Sequence, residues 1–331
     1  MASMITMFLQ SAYSMIDGLF VSNLIGDTAL SAVNVAWPII AVVTAIGTGV
    51  GCGGAVMMST KQGEGKNEES NIVRANVILA LLASSIVVTI LFLILLTPLL
   101  KLMGAEGELL RLSQIYGRVM LTGGVLQILS CGLTPLLRND NRAVSAMMIM
   151  VGGLFANLGL DFVFMYVFHM GIGGAAGASL CAQLFTTVCC LIIIGTKKTD
   201  PIRFSQFMIR MEYWKKIFKT AVSPFGISLT PSLLILYHNV ACLKFGGDLA
   251  VNAYALISST VGSYRVLLIG VAEGIQPLAS YAYGAHDFHA IRKIRNKAVI
   301  TAIGVSFFLF IFTIATARFY PAIYGYEGEA A

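Results

Sequence analysis

Nine stretches of this chain stay apolar for about twenty residues or longer, with short polar connections between them. They cover roughly 4–25, 30–58, 72–97, 112–136, 143–168, 174–195, 221–244, 249–283 and 298–316. About 20 apolar residues is the length a helix needs to cross the hydrocarbon core. Backbone in lipid finds no water, so each stretch must satisfy its own N–H and C=O groups, as a helix does. Composition agrees: 57% of the 331 residues are hydrophobic, 11% are charged, and the mean hydropathy is +0.82. A soluble domain carries about 25% charged residues. The chain reads as an all-α polytopic membrane protein.

Spans 2 and 8 exceed the length a crossing needs, so they are expected to tilt or to extend past the bilayer. Pro38, Pro224, Pro231 and Pro277 lie inside spans and predict kinks, tolerated where neighbouring helices cover the freed carbonyls. No cleavable signal peptide is expected, because the first apolar stretch is too long and lacks a basic leader. The six cysteines (Cys52, Cys131, Cys181, Cys189, Cys190, Cys242) all fall in apolar stretches without metal-type spacing. They read as small packing residues.

Lysine and arginine then orient the spans. The connections after spans 2, 4, 6 and 8 hold sixteen: Lys61, Lys66, Arg74, Arg138, Arg142, Lys197, Lys198, Arg203, Arg210, Lys215, Lys216, Lys219, Arg292, Lys293, Arg295 and Lys297. Those after spans 1, 3, 5 and 7 hold three: Lys101, Arg111 and Lys244. The positive-inside rule places the even connections and the N-terminus in the cytoplasm, in a plasma-membrane protein. The same loop bases account for the net charge of +6, so it is no signal for nucleic acid.

The sequence also repeats itself. At an offset of 221, "GDTALSA" (26–32) falls on "GDLAVNA" (247–253). Gly49/Gly270, Val50/Val271, Gly53/Gly274, Ser59/Ser280, Gly63/Gly284 and Arg74/Arg295 then coincide, giving ten identities in 49 positions. Span 1 maps onto span 7, span 2 onto span 8 and span 3 onto span 9. Six spans separate the copies, so both run the same way, a parallel repeat of the kind found in transporters. The expected architecture is a six-helix N-lobe (1–196), a basic cytoplasmic linker (197–220) and the first three helices of a parallel-repeat C-lobe (221–331). The chain is accordingly expected to be a fragment of a protein of about twelve helices.

Charges inside spans cost about 2.5–3.5 kcal/mol on insertion scales and need a reason. Asp17 lies about 20 Å along span 1 and Asp161 about 27 Å along span 5, at 1.5 Å per residue. Both are expected at similar depth in the outer half of the membrane. Asn157 is one turn from Asp161 on the same face. Two carboxylates in a low-dielectric pocket cannot both stay ionised cheaply, so a proton or a cation such as Na⁺ must join them. The alternative is two unrelated buried carboxylates, each neutral or hydrogen-bonded. His238, equivalent to Asp17 by the repeat, is either a satisfied packing residue or a relay. Arg265 and Glu273 sit two turns apart, too far for a direct bond on a straight helix. They are candidates to line a cavity or to pair with further helices. Tyr281 and Tyr283 read as interfacial anchors.

The segments "YSMIDGLFVSNLIGDTALSAVNVAWPI", "LLRNDNRAVSAMMIMVGGLFANLGLDFVF", "GAAGASLCAQ" and "GIQPLASYAYGA" resemble the bacterial branch of the multidrug and toxic compound extrusion (MATE) family. The resemblance implies two six-helix lobes around a V-shaped cavity, and extrusion of cationic or amphipathic compounds in exchange for Na⁺ or H⁺. It implies that Asp17 matches the aspartate of the family's N-lobe cation site, and that Asn157 and Asp161 match its Asn-x-x-x-Asp pair. The family often has Gly-Ala-Ala-x-Ala-Thr on its sixth helix; here the run Gly177–Ala182 ends in Ala, with Ser179 the nearest hydroxyl. On span 7 the chain has His238-Asn239 and no acid.

The leading expectation is therefore a secondary antiporter of drug-like solutes, with a small-molecule substrate, the bilayer as surroundings, no cofactor beyond the coupling ion, and a monomeric state. The alternative is a lipid-linked precursor flippase of the same superfamily, which would favour a cavity rich in Arg and Lys; Arg265 is the one base found deep in a span. A membrane enzyme is not expected, because no HExxH, no Ser/His or Cys/His constellation at suggestive spacing, and no nucleotide loop occurs.

Overall fold

The computed structural model describes residues 7, 9, 27–196 and 206–316. Span 1, with Asp17, lies outside the described residues, as do 197–205 and the tail beyond 316. Within them the chain is helical, in the order α1 (Asp27–Gly63), α2 (Asn67–Leu102), α3 (Gly107–Thr122), α4 (Gly124–Asn139), α5 (Ala143–Asp161), a π-helical turn (Phe162–Val167), α6 (Gly171–Gly195), α7 (Met211–Gly284) and α8 (Phe288–Thr316). Five of these, α1, α2, α5 with its π turn, α6 and α8, are each long and apolar enough to cross a membrane.

Span 4 turns out to be broken. The α3–α4 pair bends by 57° at Gly123. A break frees carbonyls at the end of one helix, and the side chain of the buried Gln127 takes one of them, donating to the Met120 oxygen at 2.9 Å.

Spans 7 and 8 emerge as one helical run of 74 residues. A straight helix of that size would be about 110 Å long, yet α7 meets α1 at both its ends. Gly53 lies against Ala221, whereas Gly63 lies against Tyr281. Ten residues of α1 cover about 15 Å, while sixty residues of straight α7 would cover about 90 Å. The run must fold back. The rings of His238 and Tyr254, sixteen residues apart, stack with centroids 5.1 Å apart, so the reversal lies between them. Two antiparallel legs result, matching the two expected spans. The first leg begins at Met211, inside what composition marked as linker, and Asn76 of α2 receives the Arg210 backbone N–H at 3.0 Å.

Helix α1 is the axis of the packing. Residues two apart on a helix project about 200° apart, so the glycines of "GTGVGCGG" (47–54) serve opposite faces. A Cβ on Gly47 would lie 2.7 Å from the Ile128 carbonyl oxygen, and Gly51 faces Gly132, both on α4. On the other face, a Cβ on Gly49 would lie 3.0 Å from Phe225 Cβ, and one on Gly53 2.7 Å from the Ala221 nitrogen, both on α7. Small residues let helix backbones approach closely in membranes. Outward faces are apolar, as lipid requires: Ile86, Ile90 and Ile94 on α2, and Ile303, Phe307, Phe310 and Ile314 on α8, are exposed.

Candidate ion site and the crossing at the basic end

Asn157 and Asp161 end α5. Both are buried, Asp161 completely, and the Asn157 amide donates to Asp161 Oδ2 at 3.1 Å. The helix changes character right after Asp161. Phe162–Val167 winds as a π-helical turn, with Phe162 stacked on Tyr166 at 5.0 Å. Such turns often mark functional positions. Small residues bring α6 close: a Cβ on Gly153 would lie 2.8 Å from Thr186 Oγ1, and one on Gly174 3.2 Å from Phe164 Cβ. Ser179 is half-buried on α6, and among the described residues it is not hydrogen-bonded to the Asn157–Asp161 pair. It closes the run Gly174-Ala175-Ala176-Gly177-Ala178-Ser179. The six-residue pattern is therefore met three residues earlier than the sequence reading placed it, and it ends on a hydroxyl.

The second cluster sits where the basic connections gather. Arg138, in the last turn of α4, forms an ion pair with Glu273 of α7. Ser59 Oγ donates to the Pro277 oxygen at 3.2 Å, Thr60 Oγ1 to the Ser280 oxygen at 3.4 Å, and Ser280 Oγ to Asn139 Oδ1 at 3.4 Å. Beside them Arg74 pairs with Asp140 at 2.5 Å, both nearly fully buried, and Gln62 donates to the same carboxylate oxygen at 3.1 Å. Arg142 reaches the Ile193 oxygen of α6. The segment Arg138–Arg142 thus ties α4 to α1, α2, α6 and α7.

The MatE family model matches residues 2–163 and 227–331. The chain belongs to the MatE family. It is similar to the multidrug export protein MepA of Staphylococcus aureus (strain N315), 25% identical over 319 residues, which is 95% of this chain and 69% of that protein. MepA of Staphylococcus saprophyticus is 25% identical over 302 residues, 91% of this chain and 66% of its own length. Among solved structures, a MATE protein in complex with MaL6 superposes with a TM-score of 0.93 at 24% identity, over 99% of this chain and 73% of that one. A MOP superfamily transporter from Pyrococcus furiosus, described as having a binding pocket of reverse polarity, gives 0.93 at 25% identity, with 99% and 73% covered. These likenesses bear out the all-α membrane fold.

In this MatE chain the remaining candidate residues separate. His238 is exposed on α7; its Nδ1 contacts the Leu234 oxygen at 2.7 Å and its ring lies between Tyr254 and Tyr237. Asn239 lies in the same helix, and its side chain falls outside the description. Arg265 is exposed on the return leg of α7. Glu273 has its partner on α4 rather than on a further helix. Arg74 and Arg138, counted in the sequence as loop charges, are buried within helices, Arg74 two turns into α2 and Arg138 in the last turn of α4. The signal was the run Arg138-Asn139-Asp140, whose opposed charges at an apolar boundary ask for partners.

Proposed function

We propose that this MatE protein is a secondary antiporter that exports drug-like, cationic or amphipathic compounds from the cell in exchange for Na⁺ or H⁺. The buried Asn157–Asp161 pair at the mouth of the π-helical turn carries the reading. A charge without exposure is costly, and an oxygen-rich pair suits a proton or a small cation. Asp17, on span 1 of the same lobe, is the second carboxylate of this site. Its approach to Asp161 rests on the sequence.

The lobes meet at the basic end, which the positive-inside rule assigns to the cytoplasm along with the N-terminus. In this reading the substrate cavity opens outward while that end is closed. Ion entry from outside then neutralises the carboxylates and favours the state that faces the cytoplasm for the next substrate. Relatives named multidrug export proteins support export and offer no support for an enzyme. The flippase reading gains nothing from Arg74 and Arg138, because both are neutralised by carboxylates.

The test is exchange in vesicles under imposed Na⁺ and pH gradients. Asp161→Asn should abolish ion-driven efflux while the protein still inserts. Efflux at the parent rate in that variant would overturn the assignment.

A further inference from the structure

We infer that Arg138 and Glu273 are the catch that holds the cytoplasmic mouth shut and must part for the cavity to face inward. This rests on the antiporter reading above, which requires two facing states. The pair is the ionic contact between the N-lobe and α7 among the described residues. It stands at the mouth: Glu273 keeps 19% of its side chain exposed, whereas Arg138 keeps 7%. Around it, Ser59 on Pro277, Thr60 on Ser280 and Ser280 on Asn139 add hydroxyl contacts of 3.2–3.4 Å to the close packing of α1 against α7. Backbone crossing at Gly63 and Gly284 adds close approach without interdigitating side chains. Arg138 pairs with Glu273 and not with its near neighbour Asp140, whose Oδ1 takes Arg74 and Gln62.

An ion pair suits a reversible seam. Desolvation offsets most of the attraction between buried charges. When the mouth opens, water re-solvates both ions, so the closed and open states stay close in free energy. Removing one partner is different. It leaves a lone charge that only an opened, wetted mouth can accommodate.

A native reporter lies just inside. Cys52 of α1 is 5% exposed and neighbours Arg138, Glu273, Cys131 and Gln276. The test keeps Cys52 as the sole cysteine, with the other five replaced by serine or alanine. A membrane-impermeant maleimide is applied to inside-out vesicles, with no gradient and no substrate. Glu273→Gln and Arg138→Gln should each speed Cys52 labelling about tenfold. The double swap Arg138→Glu with Glu273→Arg should restore the slow rate, and so should the conservative Glu273→Asp. Single variants that label within twofold of the parent would overturn the catch, as would a swap that labels as fast as the singles. Should a single variant fail to accumulate, the swap and Glu273→Asp still decide, since fast labelling in both contradicts a pair interaction. Because the readout needs no transport, failure of the antiporter reading leaves this result standing, and failure here leaves ion-driven efflux to its own test.

Discussion

Gly63 and Gly284, 221 residues apart and equivalent in the repeat, each press the space of a missing side chain against the other's helix. A Cβ on Gly63 would overlap the carbonyl oxygen of Tyr281, and one on Gly284 would overlap that of Thr60. Thr60 and Tyr281 are themselves 221 apart. The contact is therefore reciprocal, as across a two-fold axis, and it shows that the sequence repeat is a symmetry of the packing.

Reciprocity predicts matched effects. Gly63→Ala and Gly284→Ala should each destabilise the protein by about 1–3 kcal/mol, the usual cost of overpacking. Thermal unfolding in detergent measures this. A large loss in one variant and none in the other would contradict the symmetry.

Arg74 and Arg295 are the repeat pair that should not match. Arg74 is buried against Asp140, so Arg74→Ala strands a carboxylate and should cost about 3–5 kcal/mol. Arg295 is exposed beside Asn296, so Arg295→Ala should stay within about 0.5 kcal/mol. The same unfolding measurement compares them.

The turn between α1 and α2 should loosen in acid. Lys61 and Lys66 hold Glu64 at 2.9 and 3.0 Å, and their hydrogen bonds keep its carboxyl below the usual range. A carboxylate with a lowered folded pKa stabilises fully above its unfolded value and stops doing so as pH falls through the lowered one. Hydrogen exchange at Gly65 and Lys66, corrected for intrinsic rates, should therefore quicken on acidification below the ordinary glutamate range. Glu64→Gln should remove that dependence. An unchanged profile in the variant would reject the tie.

Asn157 should set how firmly the coupling ion is held. A hydrogen bond to a charged group is worth about 1.5–3 kcal/mol. Asn157→Ala should then raise the half-saturating ion concentration for efflux about tenfold or more, with membrane levels unchanged. Direct ion binding to the purified protein gives an independent check.

Much of this architecture is legible in the residues. Apolar length marks the spans, and a spacing of four on a helix foretells the Asn157–Asp161 bond. Other features are not legible for a physical reason. Arg138 and Glu273 are 135 residues apart, and nothing local in either segment encodes the partner. Arg74 falls two residues inside the edge of its apolar stretch, where hydropathy cannot tell a buried helical position from a wet loop. The break at Gly123 and the π-helical turn after Asp161 arise from how neighbouring helices seat, and an apolar sequence permits both a straight and a bent course. Asp17 remains an expectation from the sequence.

The alternating glycines of α1 have a mechanical consequence. A helix that touches one neighbour through Gly47 and Gly51 and another through Gly49 and Gly53 brings both backbones close to its own, while Val43, Val50 and Met58 are buried along the same helix. A side chain at any of those four positions would wedge a neighbour away, so one short segment of sequence sets the spacing of three helices.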